Sequence, residues 1–196
     1  VTGVDSNGCS STASVNVNVN PIPSLSLSLS DSAICLGNSA TLTASGGLNY
    51  NWTPSSTLNS ATGTSVIATP SIGTTYHVTA TSVHGCTAKD SVFLDVMPLP
   101  NVQLTAHPTN ICKGDTVSLT ASGAVNYNWN SNQLNTATVY ETPDTTFTYT
   151  ITGTDNNGCS NQASQTIIVN PQPIPNFITD TIICKGTNLA INNTSV

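Results

Sequence analysis

Apolar and polar residues alternate with a period of two along most of this chain. Leu25, Leu27 and Leu29 are separated by serines, and Ala40, Leu42 and Ala44 by threonines. After a Gly46-Gly47 turn, Tyr50 and Trp52 continue the alternation. Ser65 to Thr69 follows, then Tyr76 to Ala80, a turn at Gly85, and Ser91 to Val96 with Val92, Leu94 and Val96 on one face. Such patterning predicts short strands with one buried face, and no stretch carries the 3.6-residue period of a helix.

The same pattern then returns. Ile34-Cys35-Leu36-Gly37 recurs as Ile111-Cys112-Lys113-Gly114 and Ile183-Cys184-Lys185-Gly186, and Asn7-Gly8-Cys9 as His84-Gly85-Cys86 and Asn157-Gly158-Cys159. Asn49-Tyr50-Asn51-Trp52 returns as Asn126-Tyr127-Asn128-Trp129. A closing proline at Pro21, Pro98 and Pro171 sets repeats of 77 and 73 residues. The difference falls between the Trp and the later Pro (Trp52 to Pro70 against Trp129 to Pro143), where a surface loop absorbs it. The frame predicts strands F and G of a preceding repeat over 1–20, complete repeats over 21–97 and 98–170, and strands A and B of a following repeat over 171–196. The chain is thus expected to be a window from a longer array. Six to seven antiparallel strands per copy, with one Trp on the third, describe an all-β tandem array of immunoglobulin-like sandwiches.

Composition narrows the functional classes. Charged residues make up 6%, as three lysines, no arginine and nine acids, and Ser and Thr account for nearly three residues in ten. A chain without a basic stripe does not bind nucleic acid. Abundant Val, Ile and Thr argue against disorder. Evenly placed cysteines fit an oxidising compartment, so an extracellular or cell-surface location is expected, with no membrane insertion in this segment.

The string Ile-Cys-x-Gly, Leu-Thr-Ala-x-Gly, Tyr-x-Trp, Pro-x5-Tyr, Gly-Cys and a closing Val-x-Pro resembles the bacterial Ig-like and PKD-like repeats of very large secreted Bacteroidota proteins. The resemblance covers the whole chain and implies a surface adhesin of the gliding type, or an exported filament, using the type IX secretion route. Five of the eight aspartates are followed by Ser or Thr and then by an aliphatic residue or Thr, which puts Ser32, Ser91, Thr116, Thr145 and Thr181 in one motif. This is similar to the general O-glycosylation acceptor of the Bacteroidota. Asp-Ser and Asp-Thr also start turns for local hydrogen-bonding reasons, and that alternative stays open.

Cysteine pairing has two candidate forms. One bond per domain would join Cys35 to Cys86 and Cys112 to Cys159. In a sandwich, however, the A–B and F–G turns lie at opposite ends, about 23 Å apart for a seven-residue strand, whereas a disulfide needs Cα atoms about 4.4 to 6.8 Å apart. Head-to-tail stacking instead favours an inter-domain bond from Cys35 to Cys159, with Cys9, Cys86, Cys112 and Cys184 pairing to repeats outside the window. Intermolecular bonds and free thiols complete the alternatives.

Catalytic groups do not recur between copies: His77, His84 and His107 map onto Thr150, Asn157 and Ser30. The cysteines lack zinc-site spacing, and no phosphate loop or nucleophile elbow is present. Calcium draws weak support, because Asp5 and Asp155 precede the F–G turn in two copies while Val83 is taken as the equivalent in the third. Tyr50, Trp52, Tyr127 and Trp129 resemble a sugar-stacking platform but are expected in the core, with Tyr76 and Tyr149. No enzyme activity and no cofactor are expected. The leading function is a structural segment of an extracellular filament or adhesin stalk, stiffened by disulfides and Pro-containing junctions. Its partners are neighbouring repeats and identical chains in a filament. The alternatives are a polysaccharide- or surface-binding module and an accessory region of a large secreted enzyme.

Overall fold

The computed structural model describes residues 1–131, 135–179, 182, 184–186, 188 and 191–195. It contains two compact units, Val1–Met97 and Pro98–Val196. Every named element is a strand.

The first unit opens with a hairpin, β1 (Thr2–Val4) and β2 (Ser10–Thr12). A seven-stranded sandwich follows: β3 (Ser26–Leu29), β4 (Ala33–Cys35), β5 (Ala40–Ser45), β6 (Asn49–Thr53), β7 (Ser65–Ala68), β8 (Thr74–Thr81) and β9 (Thr87–Met97). One sheet has the order β3-β5-β7 and the other β4-β9-β8-β6. In immunoglobulin letters these strands are A, A′, B, C, E, F and G. The second unit repeats the plan with β10 (Gln103–His107), β11 (Asn110–Cys112), β12 (Val117–Ser122), β13 (Asn126–Trp129), β14 (Thr138–Glu141), β15 (Phe147–Thr154) and β16 (Ser160–Asn170). Its sheets run β10-β12-β14 and β11-β16-β15-β13. A last hairpin pairs β17 (Phe177–Thr179) with β18 (Ile191–Asn193).

The alternation seen in the sequence becomes the core. Ala40, Leu42 and Ala44 of β5, Tyr50 and Trp52 of β6, and Tyr76, Val78 and Ala80 of β8 all point inward and are buried. Val117, Leu119 and Ala121, Tyr127 and Trp129, and Tyr149 and Ile151 do the same in the second sandwich. A fully buried aliphatic or aromatic side chain contributes about 1.5–3 kcal/mol, so each cluster is large enough to hold one small sandwich.

Two features depart from the expected strands. A single strand A was expected before B, with Cys35 in the intervening turn. Instead the chain breaks after Leu29, crosses to the other sheet, and forms A′ with Cys35 as its last residue. A′ runs parallel to G, pairing Ala33 with Asp95, Ile34 with Val96 and Cys35 with Met97. At the crossing, Ser30 Oγ accepts the Thr41 N–H while its own N–H donates to the Thr41 carbonyl. The second departure concerns the prolines. Pro23 and Pro100 are buried, so the second proline of each Pro-x-Pro belongs to its sandwich as well as to the junction before it.

Gly46 and Gly123 close the B–C turn with φ of 94° and 90°. A Cβ at either position would also collide with the backbone carbonyl of strand A's approach, at Ser24 and Asn101. Gly85 has a positive φ of 81° but faces open space. Gly46→Ala and Gly123→Ala should therefore each cost about 2 kcal/mol or more, against about 1 kcal/mol for Gly85→Ala. Urea denaturation of the three variants checks this, and equal losses would remove the role given to the close approach.

Candidate functional site

The residues that recur most strictly lie at the two ends of each sandwich. At one end stands the F–G turn. Asp155 Oδ1 accepts the N–H groups of Asn157 and Cys159 at 2.8 and 2.9 Å, and Asp5 Oδ1 does the same for Asn7 and Cys9. In the remaining copy, Ser82 Oγ accepts the Cys86 N–H at 3.2 Å. The equivalent of Asp5 is therefore Ser82, not Val83, and the conserved task is capping the turn. Since a serine performs it as well, these carboxylates serve the backbone first. Among the described residues no group of three His, Cys, Asp or Glu side chains is arranged to hold a metal.

The other end is made by A′ and the last residues of G. Leu36 donates to the Met97 carbonyl at 2.9 Å, and Lys113 to that of Asn170 at 2.9 Å. Cys35 thus lies beside the outgoing chain of the first sandwich, and Cys112 beside that of the second. The F–G cysteines lie beside the incoming chain. Cys86 Sγ is 3.6 Å from the Asn20 carbonyl, and Asn161, two residues after Cys159, donates its side-chain amide to the Pro100 carbonyl at 3.1 Å.

Strand G separates these ends. It has 11 residues, so Cys35 and Cys86 stand on the order of 35 Å apart along it. Cys35 and Cys159 each take part in a disulfide. Cys9, Cys86 and Cys112 are thiols. Neither Cys35–Cys86 nor Cys112–Cys159 is therefore a bond, as the reach of a disulfide requires.

The aromatic residues are spent on packing. Trp52 is fully buried and donates Nε1–H to the Gly63 carbonyl at 2.9 Å; Trp129 makes the same bond to Thr136. Tyr50 OH accepts the Gly47 N–H and donates to the Gly47 carbonyl, clasping the B–C turn, and Tyr127 does so at Ala124. Tyr76 OH bonds Thr57 Oγ1 at 2.6 Å, and Tyr149 packs edge-on against Phe147 with centroids 4.8 Å apart. Inward-facing rings offer no stacking platform to a sugar. His77 sits on β8, His84 in the F–G turn and His107 at the end of β10.

Ser32, Ser91, Thr116 and Thr145 are all exposed, and Thr181 lies outside the described residues. Ser32 is in the crossing between A and A′, Ser91 on G, Thr116 just before β12 and Thr145 between β14 and β15. Asp90 Oδ1 accepts the Ser91 N–H, while Asp115 Oδ2 accepts that of Cys112.

Residues 23–98 match the family described as "Ig-like domain CHU_C associated". The matched stretch is the first sandwich, β3 to β9, and has the Ig-like fold that the description names. No curated protein sequence matches the chain. Among solved structures, the chain is similar to a Ca2+-stabilized adhesin of an Antarctic bacterium that binds ice, at 16% identity and a TM-score of 0.40. That match covers 92% of this chain and 58% of the adhesin. A 1.5-MDa bacterial ice-binding adhesin matches at 14% identity and TM-score 0.35, over 78% of this chain and 67% of that one. Murine CEACAM1b matches at 14% and 0.34, over 76% and 100%. Among the described residues no helix is long and apolar enough to cross a membrane.

Burial, and after it the negative charge of Glu141, raise the Tyr149 hydroxyl above its ordinary value. Unfolding frees this group to ionise at about pH 10. Stability from the protonated phenol is thus intact below that pH and is lost as pH rises through the higher folded value. Denaturation midpoints of the Ig-like domains should fall above pH 10, and Tyr149→Phe should flatten the fall in the second sandwich. An unchanged slope in that variant would count against it.

Proposed function

We propose that this chain is a load-bearing segment of an extracellular filament or adhesin stalk, in which a disulfide staples each Ig-like domain to the next. The observation that supports this is the placement of the cysteines within each sandwich taken alone. One sits beside the outgoing chain and one beside the incoming chain. Successive domains would then bring an Ile-Cys and a Gly-Cys to each junction. Cys35 bonds Cys159 on this scheme, while Cys9 and Cys86 pair with Ile-Cys positions of preceding repeats, and Cys112 and Cys184 with Gly-Cys positions of following ones.

Such a staple acts on bending more than on the stability of any one sandwich. A junction of a few residues containing Pro98 and Pro100 is already stiff, and a second covalent link removes the remaining hinge. A quasi-one-dimensional array transmits load through its joints, so the joints are where reinforcement matters. Export by the type IX route supplies the oxidising surroundings the bonds need. O-glycans on Ser32, Ser91, Thr116, Thr145 and Thr181 supply the solubility that a chain with 6% charged residues lacks.

Peptide mapping under non-reducing conditions should recover a peptide joining Cys35 to Cys159; one joining Cys35 to Cys86 would overturn the scheme. In small-angle scattering, Cys35→Ser should broaden the distribution of particle dimensions while circular dichroism stays unchanged. A distribution identical to that of the parent would leave the staple without a mechanical role. Intact-mass measurement of protein from the native cell surface should show added hexose-type mass. Unmodified mass would end the glycan proposal and leave the staple untouched.

A further inference from the structure

The outer face of the C–F–G sheet in the first sandwich holds an open groove of about 900 Å3. Asn51 of β6, Thr79 and Thr81 of β8 and Lys89 of β9 line its floor, and residues 62–64 form one wall. That wall is fixed. Asn51 and Thr62 form an antiparallel bridge, Trp52 N–H donates to Ala61 at 2.7 Å, and Trp52 Nε1–H donates to Gly63 at 2.9 Å. A shallower extension shares Thr79 and Lys89 and runs on to His77.

Three features of this face are not copied in the second sandwich. The loop that forms the wall is four residues shorter there, since Trp129 to Pro143 replaces Trp52 to Pro70. Lys89 opposite Thr79 becomes Gln162 opposite Thr152, and His77 opposite Ser91 becomes Thr150 opposite Ser164. Other positions of these strands differ as well, Val92 becoming Gln165 and Asp95 becoming Ile168, but the loop, Lys89 and His77 stand around one groove, and a loop that varies on a repeated scaffold is where recognition is commonly built.

The chemistry of the groove selects a class of ligand. Hydroxyl and amide groups stand about 4.8 Å apart across strands and about 7 Å apart along them, spacings that suit the hydroxyls of successive sugar rings. The main groove carries an ammonium and no carboxylate, in a chain with nine acids and three lysines. Asp90 borders only the extension. A protein partner would call for a cluster of aromatic or aliphatic side chains at the centre, whereas Leu48 is the single exposed apolar side chain lining this groove, beside threonines, asparagines and Lys89. We propose that this groove binds a polysaccharide bearing carboxylates, that is, a uronic-acid polymer, with Lys89 meeting a carboxylate and Asn51, Thr79 and Thr81 meeting ring hydroxyls. A glycan on Ser91 would border the His77 end and leave the main groove open.

The test is a titration of the full chain, produced without glycosylation, with tetragalacturonate, maltotetraose and tetraglutamate, followed by amide chemical shifts. Tetragalacturonate should move the amides of Asn51, residues 62–64, Thr79 and Lys89, and should bind more tightly than the other two. Lys89→Gln, which installs the residue found in the second sandwich, should weaken that binding about three- to fivefold without altering the circular dichroism. Four outcomes would each overturn the proposal: shifts confined to other residues, no binding, equal binding of maltotetraose or tetraglutamate, or an unaffected Lys89→Gln variant.

Discussion

The pairing of a three-residue strand A′ with the end of strand G organises each of these sandwiches. It closes the second sheet and seats Ile34 or Ile111 in the core. It also brings the turn after A′ against the outgoing chain, through the bonds from Leu36 to Met97 and from Lys113 to Asn170. Without the crossing, strand A would continue beside B, and its cysteine would not lie beside Met97. The parallel register thus links an ordinary requirement of folding, burial of one isoleucine, to the position of a reactive group at the end of the domain. Strand G then acts as a spacer whose length keeps the two cysteines of one domain from meeting.

A sandwich with so few charges must satisfy its polar surface in other ways. In the second unit, Thr148 and Thr166 share a hydroxyl hydrogen bond at 2.9 Å across the F–G pair. Gln162 donates to Thr152, and Asn130 exchanges bonds with the backbone of Thr148 and Thr150. Cross-strand pairs of this kind stabilise a sheet modestly, each by about 0.2–1 kcal/mol. They do so without long, mobile charged side chains. Thr148, Thr150, Thr152, Gln162 and Thr166 leave this part of the face hydroxylated and uncharged.

Much of this was legible in the sequence because it depended on near neighbours along the chain. Period-two alternation located the B, C, E and F strands, and Trp52 and Trp129 were correctly expected inside. The Gly46-Gly47 turn was visible as well, since only glycine suits a positive φ at that density of packing. What escaped detection was non-local. Ala33-Ile34-Cys35 is too short to show periodicity, and its parallel partner lies some 60 residues further on. Ser82 was missed for a different reason, a one-residue slip: it stands four before Cys86 as Asp5 stands four before Cys9, and the hydrogen bond from Cys86 agrees. The groove depends on which side chains of β6, β8 and β9 stand abreast, and strand register is not written in any one segment.

The two sandwiches also separate what the fold needs from what it merely permits. Positions that repeat, such as Gly46 with Gly123, Tyr50 with Tyr127 and Trp52 with Trp129, have a buried contact or a backbone strain that explains them. Lys89 and His77 have no such account: both point outward from strands whose pairing is complete, and the second sandwich holds its fold with Gln162 and Thr150 in their places. The longer loop adds the Asn51–Thr62 bridge without adding a buried residue between 59 and 65. The same loop receives both N–H groups of the buried Trp52, at Ala61 and Gly63, so it serves the core as well as the surface. Lys89 and His77 serve neither the core, the strand pairing nor the cysteine ends, and stability does not account for those two residues.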